Sequence, residues 1–305
     1  MNSKLTLKYQ EFITYLRDEK KYSIHTVRAY KIDLKDFSDF IENYHGNINL
    51  NKIEKSMIQF YIQKLTKRGL SSRSTSRKLA SIKSLFKYLT IYDEVKLNVA
   101  HGIRSPKHQK RLPQYLNLTE VNKILELPNK NTFDGIKDSA IIELFYSTGI
   151  RISELANIKL DNIRLESKTI KVLGKGNKER IVIFGDPAQK AIKMYLSQRS
   201  THRFSKSDYL FPNERTISKN KPQHISTEKV FKVVKKYLKL VSNESHLSPH
   251  SFRHTFATHL LNNGADLMSV KDLLGHASLS STQIYTHVQI DKMKKIYKQA
   301  HPHNE

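Results

Sequence analysis

Apolar residues in this chain recur at three- and four-residue spacing over most of its length, and one stretch breaks that rhythm. Tyr30, Leu34, Phe37 and Ile41 line one helix face, and Ile58, Tyr61, Ile62 and Leu65 form a second stripe that closes at Gly69. After a Ser/Thr-rich segment at Ser71 to Thr75 that can cap a helix, Leu79, Ile82, Leu85, Phe86 and Leu89 form a third stripe. The other faces of that segment carry Arg73, Arg77, Lys78, Lys83 and Lys87, a polar surface suited to a phosphate backbone. Helical spacing continues through Ile141, Leu144 and Phe145 up to Gly149. The period then shortens to two: Ile170 and Val172 alternate with polar neighbours, and Arg180 to Phe184 reads RIVIF, so two short strands flank a hairpin turn at Gly174 to Lys178. Helical patterns return beyond Lys190, around a loop-like stretch from Ser200 to Gln223. The pattern predicts a mainly α chain, with a small antiparallel β-sheet or hairpin in its second half.

At 305 residues the chain exceeds the usual size of one domain. The break falls at RSPKHQKRLP, residues 104–113, which holds two prolines, five basic residues counting His108, and almost no apolar content. The expected organisation is a helical bundle over residues 1–103, a basic linker over 104–112 and a second, mostly helical domain over 113–305.

Lys and Arg number 53 against 28 Asp and Glu, a formal net charge of +25, which is far more than solubility requires and points to a polyanionic partner. Up to Leu112 there are 23 basic and 10 acidic residues, and beyond it 30 and 18, so both halves share the excess. Because the charge is spread through amphipathic segments and not gathered in a terminal block, it belongs to folded basic surfaces. The chain has no cysteine, which excludes disulfides, thiolate metal sites and a cysteine nucleophile. No apolar run approaches the roughly 18–20 residues of a membrane span. The expectation is a soluble cytoplasmic protein without a membrane partner.

The motifs for nucleotide hydrolysis, zinc proteolysis, calcium binding and lipase-type chemistry are missing. Gly174-Lys175-Gly176 sits in the hairpin and lacks the ending of a phosphate-binding loop. What remains is a scattered set of polar residues at helix ends. Ser248 can cap a helix, Pro249 suits its first position, and His250 and Arg253 then share one face beside N–H groups that favour anions. Alone, such a pair is an ordinary surface or capping arrangement. A helix breaks at Gly149 and restarts so that Arg151 lies near its beginning, with Glu154 one turn on as a tether. Gly275 reads as a left-handed helix stop before His276, and Ser280 to Thr282 can cap a following helix that carries Tyr285.

In type and order, Arg151, Lys175, His250, Arg253, His276 and Tyr285 match the catalytic set of the tyrosine site-specific recombinases, the phage integrase-like family. The resemblance extends to TGIRISELANI as that family's first arginine box, LGKGNKER as its lysine hairpin, and LSPHSFRHTFATHLLNNGADL with LLGHASLSSTQIYTHV as its second box. YSIHTVRAYKIDLKDF and GLSSRSTSRKLASIKSLFKYL resemble its N-terminal core-binding helices, most closely those of the Xer chromosome-dimer-resolution branch. The chain departs from that branch at Asn98-Val99-Ala100, where Asn-Pro-Ala is usual, and at His301-Pro302-His303, which lacks the arginine that typically follows His-Pro.

The resemblance implies a SAM-like core-binding bundle followed by a catalytic domain, and a reaction that cleaves and rejoins DNA through a 3′-phosphotyrosine at Tyr285 and a Holliday junction. Arg151 and Arg253 would hold the phosphate oxygens, His250 would accept the tyrosine proton, His276 would hydrogen-bond the phosphate, and Lys175 would protonate the departing 5′-hydroxyl. No cofactor or metal is implied, because the phosphotyrosine conserves the bond that a second strand's hydroxyl then attacks. The implied partners are double-stranded DNA, a homotetramer or a heterotetramer with a second recombinase, and a DNA translocase that times the reaction. Ile296 to Pro302 resembles the C-terminal helix that Xer-type recombinases dock on a neighbouring subunit, and reads otherwise as a self-packed or frayed basic tail. Three alternatives stay open: an integrase or invertase of a mobile element with the same residues, a type IB topoisomerase, and a non-catalytic DNA-binding protein that uses the helix, Gly275 turn and next helix as its reading motif.

Overall fold

Each of the three stripes in the first hundred residues becomes the inward face of a helix in the computed structural model, which describes residues 4–106, 115–174, 178–201, 206–213, 216, 223–242, 247–275 and 287–304. The chain divides into two units, residues 1–111 and 112–305, with the division inside the proline-rich basic stretch.

The first unit contains α1 (Lys4–Asp18), α2 (Ile24–His45), α3 (Lys55–Lys67) and α4 (Ser72–Ile91). Ser23 and Ser71 start α2 and α4 by accepting from the N–H groups of Thr26 and Ser74, each at 3.2 Å, which satisfies donors the helix cannot. Leu34, Phe37 and Ile41 of α2, Ile58, Tyr61 and Leu65 of α3, and Leu79, Ile82, Phe86 and Leu89 of α4 close on one core with Phe12 and Leu16 of α1.

One expectation needs correction: Lys78 does not belong to the solvated basic face of α4. It is buried, with its ammonium 2.9 Å from Asp36 and 3.5 Å from the fully buried Asp33, both on α2. Asp33 also accepts from Arg77 at 2.5 Å and from Ser81 at 3.0 Å, and Asp36 from Tyr61 at 2.6 Å. Buried charges must be paired, and this network supplies the pairs. Lys83 is half-buried and donates to the Ile103 carbonyl, which leaves Arg73, Arg77 and Lys87 as the exposed cations of that face.

The second unit is organised around α6 (Phe133–Thr148), whose residues 135–148 are all buried. Such a helix has no solvent face, so α5 (Leu118–Glu126), α8 (Asp186–Ser200), α9 (Thr227–Val241) and α10 (Pro249–Asn262) cover it. A short α7 (Ile152–Ala156) precedes a sheet of order β1-β2-β3, made of β1 (Ile163–Arg164), β2 (Thr169–Leu173) and β3 (Glu179–Ile183), antiparallel throughout. The β2–β3 hairpin is the expected one, with Ile170 opposite Val182 and Val172 opposite Arg180, closed by the Gly174 N–H donating to the Lys178 carbonyl at 2.7 Å.

The remaining helices are α11 (Leu267–Leu274) and α12 (His287–Ala300). Ile183, Phe256, Leu260, Leu273, Met293 and Tyr297 form a second core that binds α10, α11 and α12 to the sheet. In this single chain α12 packs on its own unit. The Tyr297 and Ser147 hydroxyls lie 2.7 Å apart, Asn263 donates to the Ala300 carbonyl at 2.9 Å, and His301 stacks on Tyr297. His303, at the position where the resembling sequences carry arginine, meets the Glu143 carboxylate at 3.2 Å. Among the described residues no helix is long and apolar enough to cross a membrane.

Candidate active site

Two left-handed glycines set the geometry. Gly149 ends α6 at φ +55°, and Gly275 ends α11 at φ +64°. A Cβ on Gly149 would lie 2.6 Å from a Phe256 ring carbon and 2.8 Å from a Leu274 methyl, so the end of α6 fits against α10 and α11 only without a side chain.

After Gly149 the chain restarts as α7 with Arg151 at its N-cap. Glu154 supplies the cap: its Oε2 accepts the Arg151 N–H at 2.9 Å and its Oε1 accepts from Arg151 Nη1 at 2.8 Å, the tether that the sequence implies. Arg151 remains about one-third exposed, whereas the Glu154 side chain is buried.

Arg253 follows the first turn of α10, where Pro249 occupies an initial position and Ser251 Oγ accepts the Ser248 N–H at 3.1 Å. Its guanidinium spans two chain ends, with Nη1 donating to the Gly149 carbonyl and Nη2 to the Leu274 carbonyl, each at 2.6 Å. Burial, reinforced by the neighbouring charges of Arg151 and Arg180, pushes Arg253 down to about 10. It is therefore still a cation at neutral pH, held beside two further guanidiniums and the Glu154 carboxylate. His250 lies exposed three residues earlier, in the first turn of α10.

A residue that the sequence reading passed over completes the arrangement. Arg180 of β3 is buried, donates Nη2 to Glu154 Oε2 at 2.9 Å, and donates Nη1 to the Leu273 carbonyl at 3.0 Å. Burial works to raise the Glu154 carboxyl, but the charge of Arg180 and the hydrogen bonds from Arg151 and Arg180 outweigh it and hold the group below the ordinary carboxylate range. The signal was available: if Ile170 and Val172 face inward, their hairpin partners Val182 and Arg180 do too, and an arginine on the inward side of a strand must have a buried partner.

The described part of the site thus brings Arg151, Arg253, Arg180 and Glu154 together, with His250 at the same helix start as Arg253. Lys175, His276 and Tyr285, and the Ser280 to Thr282 cap, lie outside the described residues. Their described neighbours in sequence do reach the site. A Cβ on Gly174, which precedes Lys175, would stand 3.6 Å from Glu154 Oε1, and Leu274 and Gly275, which precede His276, contact Arg253 and Arg180. Two partly buried guanidiniums beside a helix start, both cationic at neutral pH, can bind the non-bridging oxygens of a phosphodiester and stabilise added negative charge there.

Comparison with known proteins agrees with this arrangement. Residues 114–292 match the family described as the Phage integrase family, and residues 9–91 match its N-terminal SAM-like domain. The tyrosine recombinase XerC of Thermodesulfovibrio yellowstonii is 40% identical over 95% of this chain and 95% of its own length, and the tyrosine recombinase XerD of Listeria monocytogenes is 37% identical over 96% and 98%. Among solved structures, the XerH site-specific recombinase bound to palindromic difH substrate in a post-cleavage complex has a TM-score of 0.70 at 22% identity, covering 96% of this chain and 82% of that one. A lambda integrase dimer bound to a COC′ core site has a TM-score of 0.70 at 16% identity, covering 92% and 99%. At those identities the two structures speak for the fold.

Proposed function

The chain belongs to the phage integrase family and is a tyrosine recombinase, an enzyme that cleaves and rejoins DNA, and from that premise we propose that it acts in the manner of the Xer proteins, resolving chromosome dimers. The observation that carries the Xer reading is the 37–40% identity to XerC and XerD recombinases over 95–96% of the chain, and the convergence of Arg151 and Arg253 with the residues that precede Lys175 and His276 supports the chemistry.

The Tyr285 hydroxyl attacks the scissile phosphorus and the 5′-oxygen leaves, giving a 3′-phosphotyrosine. His250 accepts the tyrosine proton, and Lys175 supplies one to the leaving 5′-oxygen. Arg151 and Arg253 hold the non-bridging oxygens through the pentacoordinate state, with His276 donating a further hydrogen bond. A 5′-hydroxyl from another strand reverses the reaction, so the chemistry proceeds without ATP or a metal. Residues 1–103 grip the DNA with the exposed cations of α4, residues 104–112 form the connector, and residues 113–305 carry the catalysis. The assembly is a tetramer of this chain, alone or with a second recombinase, with a DNA translocase as its timing partner. In that assembly residues 296–302, which pack on their own unit in the single chain, move to engage the neighbouring subunit. The site of action is the cytoplasm.

Nicked suicide duplexes test the reading by trapping the covalent adduct on the host's candidate chromosome-dimer-resolution site and on the ends of any mobile element around the gene. A Tyr285-dependent adduct on the chromosomal site supports the proposal. An adduct on element ends alone makes the protein a mobile-element integrase, and equal trapping by Tyr285→Phe removes the nucleophile.

A further inference from the structure

Arg180 and Glu154 link Arg151 to the end of α11, and neither belongs to the six residues assigned to the chemistry. Both carboxylate oxygens of Glu154 are engaged, Oε1 by Arg151 Nη1 and Oε2 by the Arg151 N–H and Arg180 Nη2. The other arm of the Arg180 guanidinium donates to the Leu273 carbonyl at 3.0 Å. That carbonyl is one of the last of α11, with no partner inside its own helix. Gly275, two residues on, packs so closely that a Cβ there would sit 2.7 Å from Arg180 Nε. Arg180 is therefore a strut between α7, which begins with Arg151, and the end of α11, after which the chain continues into His276.

Stability alone does not call for an arginine at such a position. Replacing a buried ion pair by apolar side chains of similar volume is often neutral or stabilising. What an apolar residue cannot supply is the planar fork, which fixes two acceptors on different elements at once. Lysine offers one point charge and reaches one of the two.

From this geometry, and resting on the proposed assignment of Arg151 and His276 to phosphate binding, we infer that Arg180 is a positioning residue: acting through Glu154 and the Leu273 carbonyl, it sets the distance between the Arg151 guanidinium and the end of α11, which precedes His276 in the chain. It does not touch DNA, so its removal misplaces catalytic groups and leaves the DNA-binding surface intact. A misplacement of about 1 Å in such a site costs on the order of 100-fold in rate.

The test uses the full chain and compares Arg180→Met, Arg180→Lys and Arg151→Ala for melting temperature, affinity for an uncleavable duplex site, and single-turnover cleavage of a nicked suicide duplex under saturating enzyme. The expected result for Arg180→Met is affinity within about twofold of wild type and cleavage slowed about 100-fold, with Arg180→Lys recovering about tenfold of that loss. Wild-type cleavage by Arg180→Met, or a cleavage loss matched by an equal loss of affinity, overturns the inference. If Arg180→Met does not fold, Arg180→Lys decides by the same split, with a cleavage defect at unchanged affinity in favour and its absence against. Arg151→Ala separates this inference from the reading beneath it. If Arg151→Ala still cleaves, the site assignment fails and takes the inference with it, whereas an inactive Arg151→Ala beside a fully active Arg180→Met refutes the positioning role alone.

Discussion

Lowering the pH from 7 to 5 weakens the docking of the C-terminal segment through one imidazole. His301 is buried and stacks on Tyr297 with ring centroids 4.7 Å apart and planes 13° apart. Its Nε2 lies 3.2 Å from the Tyr146 carbonyl, which only accepts, so Nε2 carries the proton; its Nδ1 accepts the His303 N–H, also at 3.2 Å. The neutral ring satisfies both contacts, and protonation would set a second N–H on Nδ1 against the N–H of His303. Burial accordingly pushes His301 down to about 4 from an ordinary 6.5. The unfolded chain takes up its proton near 6.5 and the folded chain resists until about 4, so this contribution is complete above 6.5 and drains away as the pH falls towards 4. Between pH 7 and 5 the linkage amounts to about 2 kcal/mol. Neighbouring Tyr146, Phe256 and His303 surround the ring, and His259, also lowered by burial, adds a loss of the same sign. Comparing the wild type with His301→Phe isolates the His301 share, because phenylalanine keeps the stack and cannot titrate. The chain has no tryptophan, so urea unfolding is followed by tyrosine fluorescence and far-ultraviolet circular dichroism at the two pH values. His301→Phe starts lower at pH 7, having lost two hydrogen bonds, but its further loss on going to pH 5 is smaller than that of wild type by about 2 kcal/mol. Parallel losses in the two proteins would refute the argument.

Two further outcomes follow from the site. Gly149→Ala demands a left-handed alanine whose Cβ meets Phe256 and Leu274 at 2.6 and 2.8 Å, so it destabilises the second unit, with backbone cost and overpacking together worth about 2–4 kcal/mol; an unchanged thermal melt would contradict the close fit. Arg253→Ala slows strand cleavage by several orders of magnitude while sparing binding to the site in a gel-shift assay, since in the proposed mechanism its charge acts mainly in the transition state, and unchanged cleavage would remove it from the site.

The fold was legible where a segment has one dry face and one wet one. The stripes of α2, α3 and α4 could be read because Leu34, Phe37, Tyr61 and Leu85 repeat at helical spacing against polar neighbours, and the hairpin because Ile170 and Val172 alternate. α6 shows no such contrast, being buried all round, and only part of its stripe was visible from sequence. β1, at two residues, is too short to show a period. Lys78 was misjudged because its partners Asp33 and Asp36 sit more than forty residues earlier, on another helix. The same separation hid Arg180, whose acceptors lie 26 and 93 residues away in sequence. In the site, local chemistry foretold the Arg151 tether to Glu154 and the left-handed Gly275, since both depend on neighbours within one helical turn. The gathering of Arg151 with Arg253 is a property of the packed unit, and only resemblance to a family could anticipate it.

Tyr285 is the proposed nucleophile, and locating the protein–DNA bond tests this assignment most directly. The adduct trapped on a nicked suicide duplex is digested with nuclease and trypsin and sequenced by mass spectrometry. The expected result is a nucleotide remnant on Tyr285, in the peptide that ends at Lys292, and no adduct from Tyr285→Phe. A remnant on any other residue, or a Tyr285→Phe protein that still becomes attached to DNA, would contradict it.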